Sequence, residues 1–220
     1  MGLTMRHKAR VSAGWLAWGL MALLHPLWAQ DAALVSEEAP ALPRVLLHSS
    51  RGDILVELEA RRAPVTVRNF LRYVDQKRLD GSDFYRAVKI GDDGKYGLVQ
   101  GGLRGNPKRV LKPIAHESPR TTGLSHLDGA ISMARTDPGT ATADFFFVVG
   151  DLVALDGQAS GDDAGYAVFG RVIEGMDVVR DILEQPRSVD GGEGVMKGQM
   201  LAKPVKILSV RREAASAIQK

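Results

Sequence analysis

Apolar residues recur with a period of two at the start of the patterned region. VLLHS (45–49) and ILVELE (54–59) are strand-like runs on either side of a turn that contains Gly52. Successive side chains of a strand point to opposite faces, so the alternating apolar residues of the second run would cover one face. Two such runs about a glycine-containing turn predict a β-hairpin.

Two other segments follow a helical period. Pro64 suits the first turn of a helix, because its missing N–H would be unpaired there in any case. The apolar residues that follow recur at i, i+3, i+4 and i+7, as one helix face requires. They are Val67, Phe70, Leu71 and Val74. A second helix is predicted over residues 176–183, directly after Gly175.

The remaining patterned segments are short and strand-like. Five further strands are predicted, at 84–90, 130–134, 144–149, 167–173 and 205–211. Three glycine-rich stretches are predicted to be loops, at 91–105, 157–165 and 191–198. Many short strands with only two helices are typical of a mainly β fold, an antiparallel barrel or sandwich with two covering helices, rather than of a βαβ fold.

The N-terminal residues have the features of a secretory signal peptide. A basic run without acids (1–10) precedes an uncharged, largely apolar run (11–24), and Ala29 is a small residue suited to cleavage. This order predicts a cleaved signal peptide at 1–29, and an uncleaved membrane anchor is the alternative. Either interpretation exports the rest of the chain, which predicts a periplasmic protein or one anchored in the membrane and facing the periplasm.

Three segments are predicted after the signal peptide. Residues 30–43 are rich in Ala, Pro and Glu and lack periodicity, which indicates a linker. Residues 44–213 carry all the strand and helix patterns and are predicted to form one compact domain, followed by a short C-terminal tail at 214–220.

Composition and charge exclude several kinds of chemistry. The chain has no cysteine, which excludes disulfides, cysteine-ligated metals and a cysteine nucleophile. His48, His116 and His126 lack the spacing of a helical metal site, so no metal is expected. The net charge of +3 arises from 29 basic and 26 acidic residues, and three basic residues of the predicted signal peptide account for it. The domain is therefore near neutral and is not expected to bind nucleic acid.

Five segments, taken in order, resemble the cyclophilin family of peptidyl-prolyl isomerases. They are RAPVTVRNFLRYV (62–74), DGSDFYRAV (80–88), VQGG (99–102), ISMARTDPGTATADFFFVV (131–149) and GYAVFGRVIEGMDVV (165–179). The resemblance extends over residues 44–212 and implies an eight-stranded antiparallel barrel capped by two α-helices. The pattern of predicted strands and helices agrees with this architecture.

The resemblance implies an isomerase site built on three residues. Arg86, in FYR, takes the place of the family's catalytic arginine. Gln100, in QGG, takes the place of the glutamine that orders this arginine and the substrate carbonyl. Phe146 takes the place of the phenylalanine at the floor of the proline pocket. Strand alternation separates Phe146 from Phe145 and Phe147, which would share the opposite face.

Further positions are expected to contact the substrate on the same grounds. Leu98 and Leu155 would line the proline pocket, and Tyr166 stands where the family has a pocket histidine. Ala134 and Arg135 belong to the segment that pairs with the substrate backbone. A tyrosine can supply both a ring and a hydroxyl donor at such a position.

The sequence also departs from the family pattern at the expected site. Asp144 replaces a glutamine and is expected to contact the substrate. We also expect it to place an acid near Arg86 that either orients the arginine or competes for it. Gly97 replaces a phenylalanine, so that part of the pocket wall would be open or rebuilt, and Ala154 replaces a tryptophan.

The expected function is that of an enzyme, a peptidyl-prolyl cis-trans isomerase that accelerates X–Pro isomerisation while exported proteins fold. This chemistry needs no metal and no other cofactor. We expect a monomer whose partners are proline-containing polypeptides, with membrane association only if the signal segment is uncleaved. The alternative is a cyclophilin-fold peptide-binding or chaperone module with little or no turnover, which the substitutions at Asp144 and Gly97 favour.

Overall fold

A computed structural model describes residues 41–91, 94–158 and 164–213 of the chain. The predicted signal peptide, residues 30–40 of the predicted linker and the predicted tail at 214–220 lie outside the described residues. None of the helices within the described ranges has the length and apolar character of a membrane-spanning segment.

The described residues form a closed antiparallel barrel of eight strands, in the order β1-β2-β7-β5-β6-β4-β3-β8. The strands are β1 (Arg44–Ser49), β2 (Gly52–Leu58), β3 (Ser82–Ile90), β4 (Tyr96–Gly102), β5 (Ala130–Met133), β6 (Phe145–Val149), β7 (Val168–Glu174) and β8 (Met200–Arg212). The fold predicted from the sequence is thereby confirmed. Among the described strands, closing the barrel leaves no open sheet edge, since each of the eight has two neighbours.

Strand β4 corrects one part of the sequence prediction. Residues 91–105 were expected to form a glycine-rich loop, yet Tyr96–Gly102 pairs with β3 on one side and with β6 on the other. The glycines are required by close packing: a Cβ on Gly101 would lie 2.7 Å from the ring of Phe84. A glycine-rich pattern therefore marked a tightly packed strand, as it can where another group approaches the backbone closely.

Helix α1 (Pro64–Asp75) packs its predicted apolar stripe into the core of the domain. Phe70 packs edge-on against Phe145 at 5.5 Å between centroids, and its ring also lies 5.2 Å from that of Phe169. The first helical N–H groups donate to the carboxylate of Glu117, from Val65 at 3.0 Å and from Thr66 at 2.8 Å. An anion at this end of a helix satisfies unpaired donors and complements the helix dipole.

Helix α3 (Met176–Glu184) packs on the barrel through Val179, Ile182 and Leu183, which are buried. The apolar spacing of this helix predicts these three residues and Met176 on the inward face, and Met176 is partly buried against the core. A one-turn helix, α2 (Pro119–Thr122), is additional to the two predicted helices. The interior of the barrel is a single apolar core in which Phe84, Phe145 and Phe147 are fully buried. Phe146 belongs instead to a second, smaller apolar cluster on the outer face of the sheet, as strand alternation predicted.

Candidate active site

Three neighbouring strands place one side chain each in a row across the outer face of the barrel. Arg86 on β3 lies opposite Gln100 on β4, and Gln100 lies opposite Phe146 on β6. Directly opposed residues of antiparallel strands share a face and lie within contact distance of each other. The barrel register therefore brings a cation, an amide and an aromatic ring together, although they are far apart in the chain.

Arg86 is half-buried, and its guanidinium is hydrogen-bonded on two edges. Nη1 donates to Oε1 of Gln100 at 2.8 Å, and Nε donates to Oε1 of Gln199 at 2.9 Å. Nη2 donates to the same oxygen of Gln199. Burial lowers the pKa of Arg86 from its ordinary value, but an arginine remains protonated at neutral pH. The site thus contains an oriented, permanent positive charge.

Gln100 is itself fixed by Tyr85. The register of β3 shifts between Phe84 and Arg86, and this irregularity lies beside Gln100. The Gln100 amide nitrogen donates to the Tyr85 hydroxyl at 2.7 Å, and both side chains are buried. Burial, followed by the charge of Asp144, raises the pKa of Tyr85 above its usual range. Tyr85 therefore stays a neutral phenol that accepts this bond.

The apolar part of the site is a cleft of about 390 Å³ next to Arg86 and Gln100. Phe146 forms its floor and is only 4% exposed, with Leu98, Leu155 and Tyr166 around it. The Tyr166 ring meets the Phe146 ring edge-on, with 5.6 Å between centroids. A concave apolar surface bordered by a few fixed polar groups is the usual form of a small-ligand site.

A buried polar network supports the floor of this cleft from behind. The ring of His126 is fully buried and stacks on the Phe146 ring at 5.8 Å. His126 Nδ1 pairs with Asp156 at 2.5 Å, and Nε2 pairs with the Ser132 hydroxyl at 3.0 Å. Burial lowers the pKa of His126, although Asp156 acts in the opposite direction. Ser132 and His126 are fully buried, so their side chains support Phe146 and are not exposed to a substrate in the cleft.

The predicted backbone-pairing segment borders the same cleft. Ala134 and Arg135 both line it. The Arg135 Nε donates to the backbone oxygen of Gly165 at 3.1 Å, and its guanidinium lies 4.8 Å from the centre of the Tyr166 ring. Arg135 is thereby held along the rim, and its cation–π contact also fixes Tyr166.

Asp144 departs from the sequence-based expectation. It makes no hydrogen bond to Arg86 and does not line the cleft; its carboxylate accepts the backbone N–H of Arg104 at 2.9 Å. The reason is that backbone N–H groups of the 103–105 turn hold the carboxylate. The strand before this turn ends at Gly102, where a Cβ would lie 2.2 Å from Asp144 Oδ1. The expected Asp144–Arg86 pair is therefore wrong, and a substrate contact by Asp144 stays a prediction.

Gly97 and Ala154 also lie outside the cleft lining. Gly97 is covered from the side of α3, since a Cβ there would lie 3.0 Å from a methyl group of Leu183. Ala154 is exposed on the short 3₁₀ turn Val153–Asp156, next to the cleft residue Leu155. Leu183 of α3 therefore fills the space next to the Gly97 backbone.

Some residues of the site had no signal in the sequence. Val195 and Met196 line the cleft, and Gln199 contacts Arg86. Val195 and Met196 belong to the glycine-rich segment 191–198, which was predicted to be a loop, and Gln199 directly follows it. None of the five family-like segments includes these residues. Thr136 also lines the cleft and directly follows the predicted pair Ala134 and Arg135. Its position within the family-like segment 131–149 is the only sequence feature that indicates a place in the site.

Other candidate sites on the described surface are weaker. A depression of about 360 Å³ beside β2 and β7 contains Glu57 and Arg171, but these two side chains pair with each other. Residues 41–91, 94–158 and 164–213 contain no group of three or more His, Cys, Asp or Glu side chains placed to hold a metal ion. The cleft beside Arg86 is therefore the candidate active site.

Comparison with known protein families assigns most of this chain to one of them. The family described as "Cyclophilin type peptidyl-prolyl cis-trans isomerase/CLD" matches residues 44–212. The chain belongs to this family of isomerases, as its ordered motifs indicated.

Individual relatives agree with this assignment. A peptidyl-prolyl cis-trans isomerase of Acinetobacter baylyi is 38% identical over 81% of this chain and 89% of its own length. Peptidyl-prolyl cis-trans isomerase A of Dickeya dadantii is 36% identical over 74% of this chain and 84% of its own length. Each match thus extends over most of this chain and most of the relative.

Solved structures show the same fold. A crystal structure of a Cryptosporidium parvum cyclophilin-type isomerase has a TM-score of 0.62 at 19% identity and covers 79% of this chain and 98% of that protein. A second structure of that protein, in the presence of the dipeptide Ala-Pro, has a TM-score of 0.61 at 20% identity and covers 78% and 99%. The barrel is therefore shared at low sequence identity.

Proposed function

We propose that this protein accelerates the cis–trans isomerisation of X–Pro bonds in polypeptides that fold after export, with Arg86 as the catalytic residue. The observation that carries the proposal is the position of the Arg86 guanidinium, hydrogen-bonded to Gln100 beside an apolar cleft floored by Phe146. The Ala-Pro dipeptide present with the related parasite protein supports proline-containing peptides as the substrate class.

The chemistry of the reaction explains why such a site suffices. The barrier to rotation about a peptide bond is about 20 kcal/mol, because twisting breaks the amide resonance. In the twisted state the prolyl nitrogen becomes pyramidal and basic, so a hydrogen-bond donor fixed next to it stabilises that state more than the planar ones. No nucleophile, metal or redox group is needed.

Each part of the cleft has a distinct proposed role. The Arg86 guanidinium donates to the prolyl nitrogen in the twisted state, and Gln100 holds this guanidinium on one edge. Phe146, Leu98, Leu155 and Tyr166 bind the pyrrolidine ring and exclude water from it. A dry apolar environment strengthens the Arg86 hydrogen bond, since less water competes for the donor.

A peptide-binding module without turnover is the alternative function. Its basis in the sequence is the pair of substitutions at Asp144 and Gly97, of which Asp144 is expected either to orient Arg86 or to compete for it. Asp144 instead bonds to the backbone of the 103–105 turn, and the Arg86 guanidinium is held by neutral amides. This arrangement favours turnover over simple binding.

A protease-coupled assay with an Ala-Pro peptide tests the proposal. Wild-type protein should accelerate isomerisation, and Arg86→Ala should lower kcat/KM by about a hundredfold, the usual effect of removing a donor from a preorganised site. Arg171→Ala is the matched control, because Arg171 is an exposed arginine of β7 outside the cleft. An Arg86→Ala protein with unchanged activity would contradict the proposal.

The cellular context is a separate part of the proposal. Uncatalysed prolyl isomerisation takes tens of seconds and limits the folding of many chains, including those that fold after export. Fractionation of cells that produce the full chain should recover it in the periplasm. Recovery in the cytoplasm alone would contradict export without affecting the enzymatic assignment.

A further inference from the structure

The second edge of the Arg86 guanidinium is held by a residue that no motif of the sequence indicated. Nε of Arg86 donates to Gln199 Oε1 at 2.9 Å, and Nη2 donates to the same oxygen. Together with the bond from Nη1 to Gln100, three of the five N–H groups are engaged. A guanidinium bonded on two edges is fixed in rotation, and two N–H groups are left for another acceptor.

The backbone of Gln199 is anchored to the strand that carries Arg86. The N–H of Ala87 donates to the backbone oxygen of Gln199 at 3.0 Å, and the N–H of Gln199 donates to the backbone oxygen of Met196 at 3.0 Å. The next residue, Met200, begins β8 directly opposite Arg86 in the register. The amide of Gln199 is therefore presented to Arg86 from a fixed backbone and not from a free loop.

The two groups that hold Arg86 are both neutral. Within the described ranges, the guanidinium makes hydrogen bonds to the Gln100 and Gln199 amides and to no carboxylate. A carboxylate partner would offset the positive charge and would bind the guanidinium N–H groups more strongly than an amide oxygen does. An amide oxygen orients the guanidinium and leaves its charge available to an incoming acceptor.

We propose that Gln199 is a positioning residue of the isomerase site: it holds the Nε–Nη2 edge of Arg86 so that the remaining N–H groups face the apolar cleft. This inference rests on the proposed function of Arg86. Misplacement of a reacting group by about 1 Å can cost about a hundredfold in rate, so the orientation of this side chain matters as much as its presence.

Substitution of Gln199 tests the inference by kinetics. Gln199→Ala and the similarly sized Gln199→Met both remove the acceptor, and the methionine variant keeps the packing if the alanine variant folds poorly. We expect kcat for an Ala-Pro peptide, measured by NMR exchange, to fall about tenfold or more, with substrate affinity changed less than about twofold. Gln199→Glu keeps an oxygen within the same reach and should recover the orientation of Arg86, but its negative charge offsets that of the guanidinium, so its kcat should stay below that of wild type.

A spectroscopic measurement reports the position of Arg86 without turnover. The ¹⁵N–¹H resonance of Arg86 Nε, assigned by its loss in Arg86→Ala, should be sharp and shifted in wild type and in Gln199→Glu. In Gln199→Met this resonance should move to the chemical shift that mobile arginine side chains share. The control is Gln185→Ala, which removes a glutamine hydrogen bond to the Asp181 backbone outside the cleft and should change neither readout.

The outcomes separate the two proposals. An inactive wild-type protein would overturn the proposed function, and with it the catalytic use of Gln199. An active wild type whose Gln199→Met variant keeps both its kcat and its Arg86 Nε resonance would overturn the positioning role alone.

Discussion

At the scale of single residues, the site depends on hydrogen bonds between neutral amides, a phenol and one cation. Tyr85 fixes Gln100, and Gln100 fixes one edge of Arg86. The motifs identified Arg86, Gln100 and Phe146, because each lies in a short segment whose neighbours are also recognisable. They did not identify Gln199, which is 113 residues from Arg86 in the chain and belongs to no such segment.

The bond between Tyr85 and Gln100 leads to a stability prediction. Tyr85→Phe leaves the buried Gln100 amide nitrogen without its acceptor and should lower the free energy of unfolding by about 1–3 kcal/mol. It should also lower kcat/KM, because Gln100 then holds Arg86 less firmly. Denaturant titration and the protease-coupled assay measure the two effects.

Tyr73→Phe is the matched control for this prediction. The Tyr73 hydroxyl is buried and accepts the backbone N–H of Leu111 at 2.7 Å, away from the cleft. This variant should lose comparable stability and keep its activity. Equal activity in the Tyr85→Phe and Tyr73→Phe proteins would show that Tyr85 has no part in the site.

At the scale of elements, the cleft is assembled from strands and from the segments that connect them. Strands β3, β4 and β6 supply the row of Arg86, Gln100 and Phe146, whereas the segment before β8 supplies Met196 and Gln199. Strand patterns in the sequence located β3 and β6. The glycines of β4 kept that strand from being predicted, because the alternation of apolar and polar residues is a property of side chains and glycine has none.

Position 97 of β4 provides a test of this close packing. Gly97→Ala would place its Cβ 2.3 Å from the carbonyl oxygen of Val88, a backbone atom that cannot move without disturbing the β3–β4 pair. We expect a loss of about 1–3 kcal/mol in the free energy of unfolding, measured by denaturant titration. A variant as stable as wild type would mean that the two strands are not held as closely as the structure shows.

The segment containing His126 links β5 to the 3₁₀ turn of Asp156 and predicts a pH dependence. Burial lowers the pKa of His126 in the folded protein, so the unfolded chain binds its proton at a higher pH than the native protein does. Stability should therefore fall as pH drops from about 7 through the unfolded histidine pKa of about 6.5. The pKa of Asp156 is lowered by its bonds to Ser125 and His126, despite burial, and its contribution is lost only at more acidic pH.

Urea titrations at neutral and mildly acidic pH test this assignment to His126. Wild type should lose stability over that interval, and His126→Gln should lose less, whatever its stability at neutral pH. If the two proteins show the same pH dependence, another group is responsible.

At the scale of the whole molecule, the chain combines an isomerase domain with an N-terminal segment whose composition is different. The net charge of +3 is carried by the first ten residues, and all three tryptophans, Trp15, Trp18 and Trp28, precede the predicted cleavage site. The basic character of the whole chain is therefore not a property of the domain. Removal of the predicted signal peptide would leave a nearly neutral protein without tryptophan.

This composition makes the predicted cleavage directly measurable. Protein purified from the periplasm should begin at Gln30 by mass spectrometry and show tyrosine but no tryptophan fluorescence. A full-length mass together with tryptophan emission from a membrane fraction would instead support the uncleaved anchor.

The sequence by itself determined the class of fold, seven of the eight strands, the two main helices and three residues at the centre of the site. These features are local, because periodicity and short motifs are read over neighbouring residues. Tertiary structure decided that Gly-rich β4 completes the barrel, that Asp144 binds a turn instead of Arg86, and that Gln199 reaches the guanidinium. Such contacts arise only when the barrel closes and brings distant segments together, so no local pattern contains them.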